Sequence, residues 1–378
     1  MDPVALKNSW AVVAKSGDEV PLFFYSHLFL SHPEVREMFP VSMAAQRDKL
    51  VGALGAVVSN VAEVDQVVPF LQQLGRDHRR FGAVAEHYSA VGASLLATLQ
   101  HFLGAAWTAE LAADWAEAYG LVATVMVQAA EESAEDSPAW WSGEVLGVDR
   151  RTMDVTIVQI RPERPLDYQP GQSVALEIPY RPRRWRYYSP ASAPRDDGSF
   201  ELHIGLVPGG QVSGPAVRSL KRGDPVRLGA PVGDSLKLPT GGQDILMVAG
   251  GTGLAPFRAM LEQLDRRMQP AEVPRVHLFH GARMPWNLYE HKQLSSLTQR
   301  PWFSYTGVVS DDQSFPGPRG PVGTVAADHG PWAGHTALVC GSPGMVRQTV
   351  EELTGAGLPA ADIRTESLGT TTSAGGQQ

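Results

Sequence analysis

The sequence has little cysteine, no long apolar run and no excess of positive charge. A single cysteine, Cys340, excludes an intrachain disulfide, a thiolate zinc site and an iron–sulfur cluster held by the chain's own thiolates. No run of about 18 or more uncharged apolar residues occurs, which excludes a membrane-spanning helix. The net charge of −8 argues against nucleic acid as a partner, because neutralising phosphates requires clustered Lys and Arg.

Length and the first residues narrow the class further. With 378 residues, 43% of them hydrophobic and 19% charged, the chain has an ordinary globular composition and is long enough for two or three domains. Its start, MDPVALKNSW, has no basic stretch leading into an apolar core, so we expect no secretory signal. Together with the absences above, this predicts a cytoplasmic protein.

The composition changes near residue 135. Residues 1–135 hold 8 Lys and Arg against 16 Asp and Glu, whereas the remainder holds 24 of each. No proline occurs between Pro69 and Pro138, which suits a helical domain, while the Gly- and Pro-rich remainder suits strands and turns. The acidic stretch 131–141 is typical of a linker, and residues 373–378 are expected to form a disordered tail.

Three segments of the first part carry apolar residues at helical spacing, and each carries one polar residue on the same face. The apolar members are Leu22 and Phe29; Leu50, Leu54, Val57 and Val61; and Val67, Leu71 and Leu74. The polar members are the phenol of Tyr25, the amide of Gln46 and the imidazole of His78. Buried polar groups need partners, and a bound polar or metallic ligand would supply them. From spacing alone, a backbone carbonyl or a place at the surface is the simpler interpretation.

The segments FFYSHLF, VREMFP, QRDKL and LGRDHRRF, followed by EHYSAVGASLLATL, resemble the globin domain of flavohaemoglobins over about the first 130 residues. The resemblance implies that His78 is the proximal ligand of a haem b iron and that Phe39 is wedged against the haem. Tyr25 and Gln46 match the distal pair that contacts dioxygen, and Tyr88 matches a tyrosine beside the proximal histidine. Neutral imidazole binds haem iron well, and a phenol and an amide donate hydrogen bonds to a partly anionic dioxygen.

One position departs from this family. Its members carry a glutamate near the end of the last globin helix, where an ungapped count places Ala130 here, with Glu131 one step further on. One step is about 100° around a helix, so the count leaves open whether Glu131 takes the glutamate's place. A carboxylate there makes a ligating imidazole more basic, so its loss bears on dioxygen activation rather than on haem binding.

The middle part predicts an antiparallel β-barrel. In FELHIGLV and SVALEIPY apolar and polar residues alternate, as in half-buried strands. The segments PGQS, RYYS and GGQVSG resemble the FAD-binding domain of the ferredoxin–NADP reductase superfamily. That resemblance implies that Arg186 pairs with the FAD pyrophosphate, that Tyr188 stacks on the flavin and that Ser189 hydrogen-bonds to it. For Arg186 taken alone, the alternative is a solvated charge in the basic run RPRRWR. The implied flavin site also includes Ser173, Tyr187, Gly210, Gln211, Val212 and Ser213.

The last part alternates strands and helices, as a doubly wound α/β domain does. DILMVAGGTGLAPFRAMLEQL predicts a strand, a glycine turn and an amphipathic helix, although Pro256 stands where the G-x-G-x-x-G fingerprint has its third glycine. With ALVCGSPGMV it resembles the NAD(P)-binding domain of the same superfamily. The implied site for NADH or NADPH comprises Gly250, Gly251, Thr252, Gly253, Leu254, Ala255, Pro256 and Gly341. Cys340 is either near the nicotinamide or a core residue. Arg283 is either a partner of a 2′-phosphate or a surface arginine, so the choice of coenzyme stays open.

The end of the chain contains a second departure. Relatives carry an aromatic residue that packs on the flavin where this chain has Leu368. Leucine still excludes water but cannot stack as a ring does. Glu366 matches a family glutamate near the flavin that assists electron or proton movement to the haem.

The sequence therefore predicts three domains: an all-α globin domain at 1–135, an FAD-binding β-barrel at 136–237 and an NAD(P)-binding α/β domain at 238–372. The resemblance implies a monomeric NAD(P)H-dependent nitric oxide dioxygenase with haem b and FAD, whose partners are small molecules: O₂, nitric oxide and NAD(P)H. The alternatives are a haem peroxidase, a general haem or flavin reductase with weak nitric oxide turnover, and a redox- or oxygen-sensing globin. A reductase for an aromatic-ring oxygenase is disfavoured, because that role adds a four-cysteine iron–sulfur domain.

Overall fold

The computed structural model describes residues 1–60, 64–267 and 273–367. The prediction for Leu368 and that of a tail at 373–378 lie outside these residues. The chain divides into two compact units, with the boundary between Trp140 and Trp141. No helix among the described residues is long and apolar enough to cross a membrane.

The first unit is all-α. Its helices are α1 (Pro3–Val13), α2 (Glu19–Ser31), α3 (Ala44–Ser59), α4 (Val64–His78), α5 (Ala85–Leu103) and α6 (Ala109–Asp136). Polar side chains cap two of them: the Asp2 carboxylate accepts from Val4 N–H at 2.8 Å, and the Thr108 hydroxyl accepts from Leu111 N–H at 3.2 Å. The core contains Leu6, Leu28 and Leu99, none of which is exposed.

Helices α4 and α6 approach each other unusually closely at Gly75. A Cβ atom built at this position would lie 2.2 Å from the carbonyl oxygen of Met126, a distance that no side chain tolerates. Gly75 precedes His78 by one helical turn on α4, so this contact sets the position of the end of α4.

The second unit begins with a six-stranded antiparallel sheet. Its strands are β1 (Trp141–Asp149), β2 (Val155–Pro162), β3 (Val174–Glu177), β4 (Arg186–Tyr188), β5 (Phe200–Gly205) and β6 (Pro225–Leu228), in the order β4-β3-β6-β1-β2-β5. A bridge between Pro190 and Leu202 joins the chain after β4 to β5 and brings the two edges together as a barrel. Helix α7 (Ser213–Ser219) follows β5. The predicted barrel is confirmed.

Two strands are more deeply buried than their alternating patterns predict. Phe200, Leu202 and Ile204 of β5 point into the barrel core as expected, but His203 between them is also buried. All four residues of β3 are buried, including Glu177. The prediction of half-buried strands is wrong at these positions. The outer face of β5 is covered by Tyr289, and Glu177 accepts from the main chain of Arg183.

The rest of the second unit is a parallel five-stranded sheet with helices. The strands are β7 (Ile245–Gly250), β8 (Val276–Ala282), β9 (Phe303–Val309), β10 (Thr336–Gly341) and β11 (Ile363–Ser367), in the order β11-β10-β7-β8-β9. The helices are α8 (Leu254–Arg267), α9 (His291–Leu297), α10 (Val322–Asp328) and α11 (Pro343–Gly355). Strand order reverses between β7 and β10, as in a doubly wound sheet, and ligands of such sheets bind beside the carboxyl ends at the reversal.

Candidate functional site

His78 is the last residue of α4 and is prepared to act as a ligand. Its Nδ1 lies 2.7 Å from the carbonyl oxygen of Leu74. A carbonyl only accepts, so Nδ1 carries the hydrogen and Nε2 keeps its lone pair. Desolvation lowers the pKa of His78, so the ring is neutral near pH 7. A neutral imidazole with the lone pair of Nε2 available is a suitable ligand for haem iron. The residues present at this site therefore fit a haem.

Tyr25 lies on α2 among aromatic rings. Its ring centroid is 5.5 Å from that of Phe39 and 5.8 Å from that of Phe29. Burial raises the pKa of Tyr25 to about 12, so the phenol keeps its hydrogen. That hydroxyl donates to the main-chain carbonyl of Gln46 at 3.4 Å. The structure thus brings Tyr25, Phe39 and Gln46 together.

Tyr88 and Glu131 are not brought together. The hydroxyl of Tyr88, on α5, is buried and has no hydrogen-bond partner within the described part of the chain. Glu131, on α6, is exposed. The proposed replacement of the missing carboxylate by Glu131 is therefore not seen, because the step from Ala130 turns its side chain toward solvent. Tyr119 instead contacts this region, and its hydroxyl donates to the main-chain carbonyl of Tyr88 at 2.7 Å.

Three predicted flavin-site residues from distant segments form one hydrogen-bonded group. The Ser173 hydroxyl lies 3.0 Å from that of Ser189 and donates to a carboxylate oxygen of Glu366 at 3.0 Å. Both serines are buried. Burial raises the pKa of Glu366, and the hydrogen bond from Ser173 opposes that change in part. The group therefore combines two hydroxyls with a carboxyl that holds its proton more readily than usual.

The remaining predicted flavin-site residues lie on β4 and in the turn before α7. Burial raises the pKa of Tyr188 to about 12. The Arg186 guanidinium donates to the carbonyl of Trp185 at 2.8 Å, and Tyr187 lies opposite Ala175 in the ladder with β3. In the turn 210–213, the Ser213 hydroxyl accepts from Val207 N–H at 3.1 Å. Of the other turn residues, Gly210 is partly buried, Gln211 exposed and Val212 buried.

The two predicted nucleotide turns meet at the reversal of the parallel sheet. Gly250 ends β7, and Gly251–Gly253 form the turn that leads into α8, whose first residues Leu254, Ala255 and Pro256 are buried. A Cβ atom at Gly253 would lie 2.3 Å from the carbonyl oxygen of Cys340, at the end of β10. Only glycine permits this approach, which brings the turn against the Cys340–Gly341 peptide. Thr252 is partly buried.

Cys340 and Arg283 have contrasting surroundings. The Cys340 side chain is wholly buried, and burial and the nearby Glu366 raise the pKa of its thiol well above the usual value. Arg283 is 84% exposed and pairs with Asp311 at 2.8 Å, at the carboxyl ends of β8 and β9. The sequence did not indicate this acidic partner.

A buried polar cluster lies where the barrel packs on the α/β part, and no motif pointed to it. Its members are His203, His280, Tyr289, Glu290, Arg151 and Arg258. His203 Nδ1 lies 2.8 Å from the Tyr289 hydroxyl, and Glu290 pairs with Arg151 and, at 3.2 Å, with Arg258. Polar residues inside the apolar runs VHLFHG and NLYEH were the available signal.

Comparison with known proteins identifies all three parts. The globin model matches residues 22–126, the oxidoreductase FAD-binding domain residues 146–236 and the oxidoreductase NAD-binding domain residues 247–351. A curated relative, the flavohemoprotein of Bacillus subtilis, is 25% identical over 285 residues, which cover 72% of this chain and 71% of the relative.

Two solved structures share the fold. The flavohemoglobin of Malassezia yamatoensis, with bound FAD and heme, aligns with a TM-score of 0.74 at 17% identity and covers 97% of this chain and 98% of that one. The flavohem-like FAD/NAD-binding domain of the nitric oxide dioxygenase of Vibrio cholerae aligns with a TM-score of 0.52 at 20% identity, and covers 60% of this chain and 98% of that one.

Proposed function

Because this chain belongs to the flavohemoprotein family, we propose that it is a nitric oxide dioxygenase that uses NAD(P)H. It is an oxidoreductase with haem, FAD and NAD-type cofactors. In the proposed reaction nitric oxide and dioxygen combine with one electron to give nitrate. One NAD(P)H, which carries two electrons, therefore serves two molecules of nitric oxide. The name of the structurally similar Vibrio cholerae protein supports this choice of substrate.

The observation that carries the proposal is that the neutral phenol of Tyr25 lies against Phe39, the residue predicted to be wedged against the haem. Tyr25 keeps its hydrogen, and its bond to the Gln46 carbonyl is long at 3.4 Å, so the hydroxyl can turn to another acceptor at little cost. His78 would hold the haem through Nε2, with Phe39 beside it. When bound, haem supplies an iron that takes up dioxygen, and FAD divides the hydride of NAD(P)H into single electrons.

The residues of the second unit would bind and orient the two nucleotides. Ser173 and Ser189 would orient the flavin by hydrogen bonds, with Tyr188 beside its ring and Arg186 at the pyrophosphate. Glu366 would hold a proton close to the flavin, because burial raises its pKa. The turn Gly250–Gly253 and the start of α8 would receive the coenzyme, since helix amino termini favour phosphate groups.

The test compares NAD(P)H oxidation by the purified protein in aerated buffer with and without nitric oxide. We expect nitric oxide to accelerate oxidation strongly and to yield two nitrates per NAD(P)H. The His78→Ala variant should lose haem and this acceleration, while keeping its FAD and its reduction of ferricyanide. Oxidation that does not respond to nitric oxide in the haem-loaded wild type would overturn the proposal.

One observation favours a second candidate, a haem or flavin reductase with slow nitric oxide turnover. The Tyr88 hydroxyl has no partner within the described residues, and Glu131 is exposed, so Glu131 does not supply a carboxylate that would strengthen the proximal side. Under this alternative, Ala130→Glu should speed nitric oxide turnover, and the wild type should reduce artificial acceptors faster than it consumes nitric oxide.

A further inference from the structure

His280, a wholly buried residue of β8, contacts the nucleotide turn without belonging to any predicted site. Its Nε2 lies 3.0 Å from the carbonyl oxygen of Gly251. Because a carbonyl only accepts, Nε2 carries the hydrogen and donates it. The same carbonyl also accepts from the Leu254 N–H at the start of α8. His280 therefore holds the point where the turn becomes a helix.

The second nitrogen of His280 makes this arrangement informative. Nδ1 is buried and has no hydrogen-bond partner within the described residues. An unpaired acceptor in the interior opposes folding, whereas an apolar side chain of similar size would not. A favourable contribution of histidine at this position must therefore come from the other nitrogen, Nε2, which donates to the Gly251 carbonyl.

Neighbouring residues hold both the imidazole and the turn. The Tyr289 ring meets the His280 ring edge-on, with centroids 5.7 Å apart, and the Tyr289 hydroxyl is hydrogen-bonded to His203. On the turn itself, Thr252 packs against Gly205 of β5, where an added Cβ would lie 3.1 Å from its methyl group. Gly251 has a φ of 54°, in the left-handed region; because glycine adopts either sign of φ readily, the hydrogen bonds to its peptide, and not its own preference, fix this conformation.

We propose that His280 is a positioning residue for coenzyme binding: by donating to the Gly251 carbonyl, it fixes the turn on which NADH or NADPH binds. This inference rests on the nucleotide site assigned under the proposed function. It predicts that His280 contributes to coenzyme affinity without touching the reacting atoms.

The test uses the full-length holoprotein and stopped-flow reduction of its FAD by NADH or NADPH. His280→Leu keeps the bulk but removes the donor, and we expect the apparent Kd of the coenzyme to rise roughly three- to tenfold, as for one lost hydrogen bond. The limiting rate of flavin reduction should change less. His280→Gln, whose amide nitrogen can reach the place of Nε2, should restore most of the affinity.

Tyr289→Phe is the matched control, since it keeps the ring beside His280 but breaks the bond to His203. Its coenzyme Kd should stay close to that of the wild type. An unchanged Kd in His280→Leu, or an equal loss in His280→Leu and His280→Gln, would overturn the inference. If neither coenzyme reduces the wild-type flavin, the proposed function itself fails; if the wild-type flavin is reduced and the Kd of His280→Leu is unchanged, only this inference fails.

Discussion

Burial raises the pKa of Tyr25 to about 12 and so keeps its phenol a hydrogen-bond donor. In the proposed distal site, a bond from this phenol to partly anionic dioxygen would be charge-assisted and would contribute roughly 1.5–3 kcal/mol. Tyr25→Phe should therefore speed dioxygen dissociation about tenfold or more. Flash photolysis or ligand replacement measures this rate.

The Gln46→Leu variant and the double variant complete that experiment. If the Gln46 amide takes over part of the hydrogen bonding to dioxygen, the double variant should release dioxygen faster than either single variant. Unchanged dissociation rates in all three variants would show that neither side chain faces dioxygen.

The ion pair between Arg283 and Asp311 bears on the choice between NADH and NADPH. Asp311 offsets the charge of Arg283 and would repel a 2′-phosphate. We therefore expect the wild type to prefer NADH, and Asp311→Asn to raise kcat/KM for NADPH relative to NADH several-fold. The control is Asp312→Asn, because Asp312 accepts from Ser314 rather than pairing with Arg283. An unchanged ratio in Asp311→Asn would place the 2′-phosphate elsewhere.

Among the helices, the contact between α4 and α6 makes the sharpest prediction. A methyl group at Gly75 would lie 2.2 Å from the Met126 carbonyl oxygen, so Gly75→Ala must push the helices apart. Overpacking of this kind costs about 1–3 kcal/mol or more. We expect a lower urea midpoint for the globin part and weakened haem binding, since His78 lies one turn further along α4.

Gly120→Ala provides the matched control on α6. Nothing lies within 4 Å of a Cβ at Gly120, so alanine should stabilise the helix by about 0.5–1 kcal/mol. Equal unfolding midpoints for the two variants would contradict the close approach.

At the same scale, local patterns predicted elements better than they predicted partners. Helical spacing identified the face that carries His78, and glycine turns after apolar strands identified β7 and β10. Strand β9 was not identified, and neither was the burial of His203. The hydrogen-bond partner of His203, Tyr289, is 86 residues away in the sequence, and a local pattern of apolar and polar residues cannot predict such a contact. The hydrogen bond between Ser173 and Glu366 was likewise not predicted, because 193 residues separate them and the resemblance implied only that each lies near the flavin.

At the scale of the whole molecule, the boundary between Trp140 and Trp141 predicts that the two units fold independently. Residues 141–378 alone should bind FAD and reduce ferricyanide with NAD(P)H, because the predicted flavin and coenzyme residues all lie there. Residues 1–140 alone should bind haem. Flavin content and activity of the purified fragment measure the first outcome, and a fragment that stays flavin-free under several expression conditions would contradict it.

Two buried histidines give the second unit a pH-dependent stability. Burial lowers the pKa of His203 to about 3 and that of His280 to about 4, from an ordinary value of 6.5. Below pH 6.5 the unfolded chain takes up protons that the folded chain refuses, so stability falls as the pH drops toward 4. At pH 5 each of these histidines lowers the free energy of unfolding by about 2 kcal/mol. The melting temperature of His280→Gln should fall less between pH 7 and 5 than that of the wild type.

The wholly buried thiol of Cys340 has a consequence for the nitric oxide chemistry that we propose for this chain. Nitrosation and oxidation act on accessible thiolates, and burial disfavours the thiolate of Cys340. As the sequence contains no second cysteine, nitric oxide, the proposed substrate, meets no accessible thiol on the folded chain. The same thiol can report local opening of the fold. The rate at which a thiol reagent labels Cys340 in the native protein measures how often the end of β10 separates from the nucleotide turn.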